Sequence, residues 1–158
     1  MADIKEAKRF LDLVEPDASF VFRTINANGD GNSVVGKFGD VQRQLVRAEG
    51  DGLSVCVTIN RQAGVRFIWQ LSKPGCEFPC EPSIVVQASD EEVQAYWRCD
   101  GLSFAYFDVL MDCEDLLATV SLPGFKQSSG HVPRIIKHDG PSYFPEGLKS
   151  AFFAEAFN

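Results

Sequence analysis

One stretch near the middle of the chain, residues 82–97 (PSIVVQASDEEVQAYW), constrains the fold more than any other. Its first part, residues 83–87, is β-branched and mostly apolar, which is typical of a strand covered on both faces. Residues 89–92 form a charged, turn-prone tip, and residues 93–99 resume with aromatic side chains. The stretch therefore predicts a central β-hairpin.

The patterns on either side of this hairpin mix helices with short strands. Helical spacing of apolar residues predicts helices at 3–14, 41–49, 104–111 and 146–157, with a short helical turn at 114–118; Asp3, Asp40 and Ser103 are the expected caps of the first three helices. Strand patterns occupy residues 19–25, 34–38, 53–60, 65–71 and 132–137. We expect one α+β domain over residues 1–158, with a mostly antiparallel sheet.

Composition indicates an ordinary globular protein with an acidic balance. The chain has 45% hydrophobic and 23% charged residues and a net charge of −7. No apolar run approaches the ~20 residues that span a bilayer, and the N-terminus lacks a signal-peptide layout, so we expect a cytoplasmic protein. The acidic balance disfavours nucleic acid as the main partner, although an acidic chain can still carry a basic patch.

Two segments have some resemblance to metal sites. Cys76 and Cys80 could supply two zinc ligands, but both histidines lie far along the chain. The loop at residues 26–33 resembles the start of a calcium loop, but Lys37 stands where a bidentate glutamate is required. We interpret the first segment as a loop with two thiols and the second as a hairpin tip, and we expect no metal and no cofactor.

Several segments together resemble the RepB-type primase domains of plasmids and phages, within the archaeo-eukaryotic primase-polymerase superfamily. The similar segments are FLDLVEPDASFVFRTI, SVCVTIN, PSIVVQAS followed by QAYW, and DLLATVSLPGF, in matching order across residues 10–137. The resemblance implies a two-layer α+β fold with a split RNA-recognition-like sheet. It also implies an ancestral activity of metal-dependent nucleotide transfer.

The residues that would carry that activity differ in this chain. The family places an Asp-x-Asp pair at the end of the strand matching VRFIWQLS, where it holds two divalent ions; the matching positions here are Gln70 and Ser72. Gln94 stands in place of the histidine of a His-x-Tyr-Trp run. An amide cannot exchange protons near neutral pH, and neutral oxygens cannot offset the charge of two Mg²⁺ ions.

Positions around the Leu-Pro-Gly segment differ in the same way. Where the family has arginines before it, this chain has Ala118 and Ser121, and the His and Lys that follow it match Gln127 and Ser129. Of this polar set only Asp115 is kept, and alone it can equally be a helix-surface carboxylate. The resemblance therefore predicts a catalytically inactive relative, a pseudoenzyme.

Two acidic clusters remain as candidate partner-binding surfaces. One cluster lies in a predicted helical segment and consists of Asp108, Asp112, Glu114 and Asp115. The other lies at the hairpin tip and consists of Asp90, Glu91 and Glu92. Either can be a solvated surface, or can present a phosphate-like row to a basic groove on another protein. With the mobile-element origin that the resemblance implies, the second alternative predicts a protein partner that handles nucleic acid. The protein would then be an inhibitor of host defence, such as an anti-CRISPR protein or a DNA mimic.

Two other functions stay open. Basic and aromatic strand residues could form a platform for single-stranded nucleic acid, as in a replication accessory protein. These residues are Lys126, His131, Arg134, Lys137 and His138, with Phe20, Phe22, Tyr96 and Trp97. An active enzyme could instead use unmatched residues, either in residual primase activity or through a nucleophile built from Cys113 or Cys56 with His131. We expect the four aromatic residues to belong to the core.

Overall fold

The computed structural model describes residues 2–59, 65–100 and 119–153. These ranges contain three helices and eight strands. In chain order they are α1 (Ile4–Val14), β1 (Ser19–Ile25), β2 (Gly31–Lys37), α2 (Phe38–Gly50), β3 (Ser54–Thr58), β4 (Val65–Ser72), β5 (Ile84–Ser89), β6 (Glu92–Asp100), β7 (Thr119–Ser121), β8 (Arg134–Lys137) and α3 (Pro145–Phe153).

The strands form two four-stranded sheets. Sheet A has the order β2-β1-β3-β7, and sheet B has the order β4-β6-β5-β8. Every pair of neighbouring strands is antiparallel. The predicted α+β fold with mostly antiparallel sheets is confirmed. Within the described ranges, no helix has the length and apolar character that a membrane crossing requires.

The predicted hairpin is confirmed as the pair β5–β6 at the centre of sheet B. Ile84 and Val86 face the larger core, which sheet B shares with sheet A, α1 and α2. Val85 faces a smaller core on the other side of sheet B, where Trp97 and Leu148 pack. Both faces of β5 are therefore buried, which explains its almost continuous apolar sequence.

Helix α1 has the amphipathic pattern that its sequence predicts. Ala7, Phe10, Leu11 and Val14 are buried, and the Asp3 side chain accepts a hydrogen bond from the Glu6 backbone N–H at 3.2 Å. This bond, followed by the hydrogen bond from the Arg134 side chain, holds the pKa of the Asp3 carboxyl below its ordinary value.

Two boundaries in the first half of the chain differ from the prediction. Strand β2 begins at Gly31 because it pairs with β1 in full register; the tip between the two strands is closed by the Asn26 side chain, as expected of a hairpin. Helix α2 begins at Phe38, and its N-cap is Lys37 rather than Asp40. The buried Phe38 ring packs 6.2 Å from that of Phe22 and fixes the first turn of the helix.

Strand β7 was not predicted from the sequence. It has only three residues, and its pairing with β3 (Val57 opposite Val120) defines it rather than any local pattern. The helices predicted at 104–111 and 114–118, and the end of the helix predicted at 146–157, lie outside the described residues.

Candidate functional site

A polar cleft of about 450 Å³ lies where the two sheets meet. Sheet A contributes side chains of β3 and β7, and sheet B contributes side chains from the tip and second strand of the central hairpin. The residues that matter here are Ser54, Cys56 and Ser121 from sheet A, and Ser89, Glu92 and Gln94 from sheet B.

The loop between β7 and β8 forms a further wall of the cleft, with Gln127, Ser129 and His131. Its course is set by Gly124, whose N–H donates to the Pro133 carbonyl and whose carbonyl accepts from the Asp3 N–H, both at 2.8 Å. Gly124 has a φ of +88°, and a β-carbon at this position would collide with the Asp3 backbone. The glycine of the Leu-Pro-Gly segment therefore has a packing role.

Gln127 connects this loop to sheet A. Its side-chain N–H groups donate to the carbonyl of Phe125 at 2.9 Å and to that of Val55 at 3.3 Å. Nearby, the Ser128 N–H donates to the Ser54 hydroxyl at 2.9 Å. Because these donors already bond to the protein, the loop is held against β3 through neutral hydrogen bonds.

Gln94 is held by a buried tyrosine. The Tyr96 hydroxyl donates to the Gln94 Oε1 atom at 2.6 Å, and the two residues are only 1% and 8% exposed. Rings of Phe10 and Phe67 pack at the edge of Tyr96, with centroids 5.9 and 6.5 Å away. Burial raises the pKa of Tyr96 far above its ordinary value, so its hydroxyl remains a proton donor in this bond.

Strand register separates Gln70 and Ser72 from this cleft. Residues directly opposite in neighbouring strands share a face of the sheet. Leu71 lies opposite Gln94, whereas Gln70 and Ser72 lie opposite Ala95 and Val93, which belong to the smaller core on the other face. Gln70 and Ser72 bond to each other there, with 3.0 Å between Gln70 Nε2 and Ser72 Oγ. Gln70 and Ser72 therefore lie on the opposite face of sheet B from Gln94, and Leu71 is the β4 residue on the Gln94 face.

The acidic candidates are only partly described. Asp90, Glu91 and Glu92 are exposed at the hairpin tip, as predicted, and Glu92 also lines the cleft. Asp108, Asp112, Glu114, Asp115, Cys113 and Ala118 lie outside the described residues.

The described side chains of the cleft do not fit a pair of divalent cations. Among these side chains Glu92 is the one carboxylate, and the cleft also contains the His131 imidazole and the Cys56 thiol. Over residues 2–59, 65–100 and 119–153, no three His, Cys, Asp or Glu side chains come together as metal ligands, and this includes the loop with Cys76 and Cys80. Mg²⁺ is held mainly by carboxylates, and one carboxylate leaves most of the charge of two ions unbalanced.

Cys56 and His131 share the cleft, but the geometry does not make the thiol a nucleophile. Burial raises the pKa of Cys56, and the nearby charge of Arg23 only partly opposes this shift. In the part of the chain that the structure covers, Cys56 makes no hydrogen bond with His131. A thiol with a raised pKa is mostly protonated near neutral pH and reacts slowly.

The aromatic residues considered for a nucleic-acid platform belong to the core, as expected. Phe20, Phe22, Tyr96 and Trp97 are all at most 3% exposed, so none presents a ring to a base. Two of the basic candidates are already paired with carboxylates. Arg134 contacts Asp3 at 2.7 Å, and Lys137 contacts Glu81 at 2.8 Å.

Some cleft residues were not predicted from the sequence. Ser54 and Ser89 reach the cleft only because β3 and the hairpin tip approach each other in the tertiary structure, and the same approach brings Cys56, a candidate from the sequence, into the cleft with His131. The alternation of β3 (SVCVT) predicts that Ser54 and Cys56 lie on one face of the strand. It does not predict which part of the molecule packs against that face.

Comparison with known proteins finds solved structures of similar fold. No family model and no curated protein matches the sequence. The AEP domain of the cyanophage S-2L primase-polymerase superposes with a TM-score of 0.76 at 12% identity, covering 96% of this chain and 98% of that one. The catalytic domain of primase RepB′, solved in complex with initiator DNA, gives 0.73 at 15% identity, covering 98% and 95%. A second RepB′ structure gives 0.70 at 16% identity, covering 98% of this chain and 63% of that one.

These matches extend over nearly the whole chain. The two antiparallel sheets described above are consistent with a primase-like fold. This chain therefore has the fold of a RepB-type, archaeo-eukaryotic primase domain.

Proposed function

We propose that this chain is a primase-fold protein that does not synthesise primers and acts by contact with a protein partner. One observation carries the proposal. Four positions that match polar catalytic residues of the family, Gln94, Ser121, Gln127 and Ser129, lie together in one cleft, and all four side chains are neutral.

Nucleotide transfer depends on groups that these side chains cannot replace. Most of the rate of phosphoryl transfer comes from positioned positive charge, namely two metal ions and basic side chains around the phosphates. Glu92 is the single described carboxylate of the cleft, and the Gln94 oxygen is engaged by Tyr96. One carboxylate cannot hold a metal pair, and the Gln94 amide cannot exchange a proton at neutral pH.

The hairpin tip is the described surface that suits a protein partner. Asp90, Glu91 and Glu92 are exposed there on a chain of net charge −7. Such a tip would be attracted to the basic groove of a complex that handles nucleic acid. Together with the cyanophage origin of one structural neighbour, this favours an inhibitor from a mobile element, such as an anti-CRISPR protein that mimics DNA.

A primer-synthesis assay tests the first half of the proposal. The protein is purified free of polymerase and incubated with single-stranded template, nucleotides and either Mg²⁺ or Mn²⁺, with an active RepB-type primase as positive control. We expect no extended product from this chain. A template-dependent product that co-purifies with the protein would show that the cleft is catalytic.

Affinity capture from host lysate tests the second half. The bait carrying Asp90→Lys and Glu91→Lys is compared with wild type, and the matched control reverses two exposed acidic residues elsewhere, Asp51→Lys and Glu77→Lys. We expect the tip variant alone to lose the captured complex. Equal capture by both variants would exclude the tip as the binding surface.

The alternative function, a replication accessory that binds single-stranded nucleic acid, has less support because the aromatic candidates are buried. Its binding would then depend on charge alone and would fall steeply with salt. A steep loss of oligonucleotide affinity with rising salt would support this alternative, and the absence of binding at about 50 mM salt would eliminate it.

A further inference from the structure

The two faces of sheet A differ in chemistry. One face packs against α2 through apolar residues such as Phe22 and Val57. The other carries Arg23, and we name it the arginine face. No strand of sheet A contains Asp or Glu, although the chain as a whole has 22 acidic and 15 basic residues.

A row of four residues crosses the arginine face from β2 to β7. In register, Ser33 lies opposite Arg23, Arg23 opposite Cys56, and Cys56 opposite Ser121. Cys56 and Ser121 both line the cleft. Arg23 is therefore one strand away from the cleft wall and two strands from Ser121, the position where related primases are expected to have an arginine.

The charge of Arg23 has no carboxylate partner among residues 2–59, 65–100 and 119–153. The ion pairs found there involve other basic side chains, including Lys37, which pairs with Asp17 at 3.2 Å. Arg23 is half-buried, and its positive charge reaches the neighbouring Cys56 thiol. A partly desolvated guanidinium without an anion strongly favours binding one.

We propose that Arg23 and the hydroxyls of its row form an anion site that binds a phosphate group without a divalent metal. Guanidinium donors match two phosphate oxygens, and the hydroxyl of one of the two serines, Ser33 or Ser121, can donate to a third, since three strand spacings separate these serines. The small side chains of the row let a ligand approach the sheet closely. A single arginine suits one phosphate group, such as that of a nucleoside monophosphate or of a 5′-phosphorylated strand, better than a triphosphate.

Binding is measured by calorimetry in EDTA at low salt, with inorganic phosphate and a nucleoside monophosphate as probes. We expect Arg23→Gln to weaken binding of both probes by at least about tenfold, since a charged hydrogen bond is lost. Arg23→Lys should retain part of the affinity. The matched control, Arg43→Gln, removes the same charge from the exposed surface of α2 and should bind as wild type does.

A second measurement does not depend on the stability of the Arg23 variants. Site-resolved alkylation of Cys56 in the wild-type protein should slow when phosphate is added, because the anion shields the neighbouring thiol from Arg23 and blocks access to it. Cys76, which lies on another loop, serves as the internal control. Unchanged alkylation of Cys56 at saturating phosphate would overturn the proposal, as would equal phosphate binding by wild type and Arg23→Gln, or none by wild type.

The source of the phosphate is distinguished by two oligonucleotides of the same sequence. Tighter binding of the 5′-phosphorylated strand than of the 5′-hydroxyl strand, lost in Arg23→Gln, supports a strand end as ligand. Equal affinity for a nucleoside monophosphate and the phosphorylated strand supports a free nucleotide. Equal binding of both strands that does not depend on Arg23 would refute the site. None of these results depends on primer synthesis, so this inference and the proposed function can fail separately.

Discussion

Removing the Tyr96 hydroxyl tests whether the hydrogen bond between Tyr96 and Gln94 stabilises the fold. In Tyr96→Phe, the Gln94 oxygen loses a 2.6 Å hydrogen bond while it stays buried. An unsatisfied buried acceptor costs about 1–3 kcal/mol, which corresponds to a melting temperature lower by roughly 2–12 °C for a chain of this length. Tyr143→Phe is the control, because its hydroxyl donates to the Glu81 carbonyl at an exposed site, where we expect a smaller loss of about 0.5–1.5 kcal/mol.

A double-mutant cycle measures the pairing directly. Gln94→Met keeps the length of the side chain but leaves the Tyr96 hydroxyl without its acceptor. In the double variant both polar groups are gone, so its loss of unfolding free energy should be smaller than the sum of the single losses by about 1–3 kcal/mol. Urea denaturation of the four proteins gives these values. Additive losses, within about 0.5 kcal/mol, would refute the pairing.

The pKa of Tyr96 predicts how the stability difference between wild type and Tyr96→Phe depends on pH. Burial raises this pKa in the folded state above its ordinary value of 10.0. The unfolded tyrosine therefore loses its proton first, so the stabilising contribution is complete below about pH 10 and declines as the pH rises above it. Because Tyr96→Phe lacks this titration, the stability difference between wild type and variant should narrow above about pH 10. A difference that stays constant to about pH 11 would contradict the assignment.

Three further predictions concern the loop, the first helix and strand β4. Gly124→Ala should lower the free energy of unfolding, measured by urea denaturation, by roughly 3–5 kcal/mol because the new β-carbon meets the Asp3 backbone. Gly130 has a φ of +96° but open space around it, so Gly130→Ala should lower the free energy of unfolding by only about 1 kcal/mol. Asp3→Ala should lower the free energy of unfolding by about 1 kcal/mol at pH 7 because the N-cap hydrogen bond is lost. Since the pKa of Asp3 is lowered in the folded state, the stabilities of wild type and variant should become equal as the pH falls below about 4. Gln70→Asp combined with Ser72→Asp should not bring Mn²⁺ into the cleft, so NMR signals broadened by Mn²⁺ should come from the smaller core; broadening of the cleft residues instead would show that the β4 register is wrong.

Local patterns predicted the elements that have strong periodicity. The bounds of β1 match the alternation of SFVFRTI, and α1 follows the spacing of its buried apolar residues with Asp3 as cap. Strand β7 and the start of α2 could not be predicted in this way. Their positions depend on pairing with β3 and on packing of Phe38 against Phe22, and both contacts join residues distant in sequence.

The candidate site shows the same division. Gln94, Ser121, Gln127 and Ser129 were identified from the resemblance to primases, and the structure brings them together. Gln70 and Ser72 were identified in the same way, but they lie on the other face of sheet B. Successive side chains in a strand point to opposite faces, so an error of one residue in matching a strand moves a residue out of the site entirely.

The amino-acid sequence alone determined the mixed α+β class and the central hairpin, because these depend on residue type and local spacing. The resemblance to primases, and not spacing, pointed to the neutral side chains at the matched cleft positions. Only the tertiary structure decided which strand faces meet. It placed Arg23 in a row with Cys56 and Ser121, and it brought the Tyr96 hydroxyl within hydrogen-bond distance of the Gln94 side chain. The physical reason is that strand register is set by long-range pairing and by the burial of one face, which no local pattern contains.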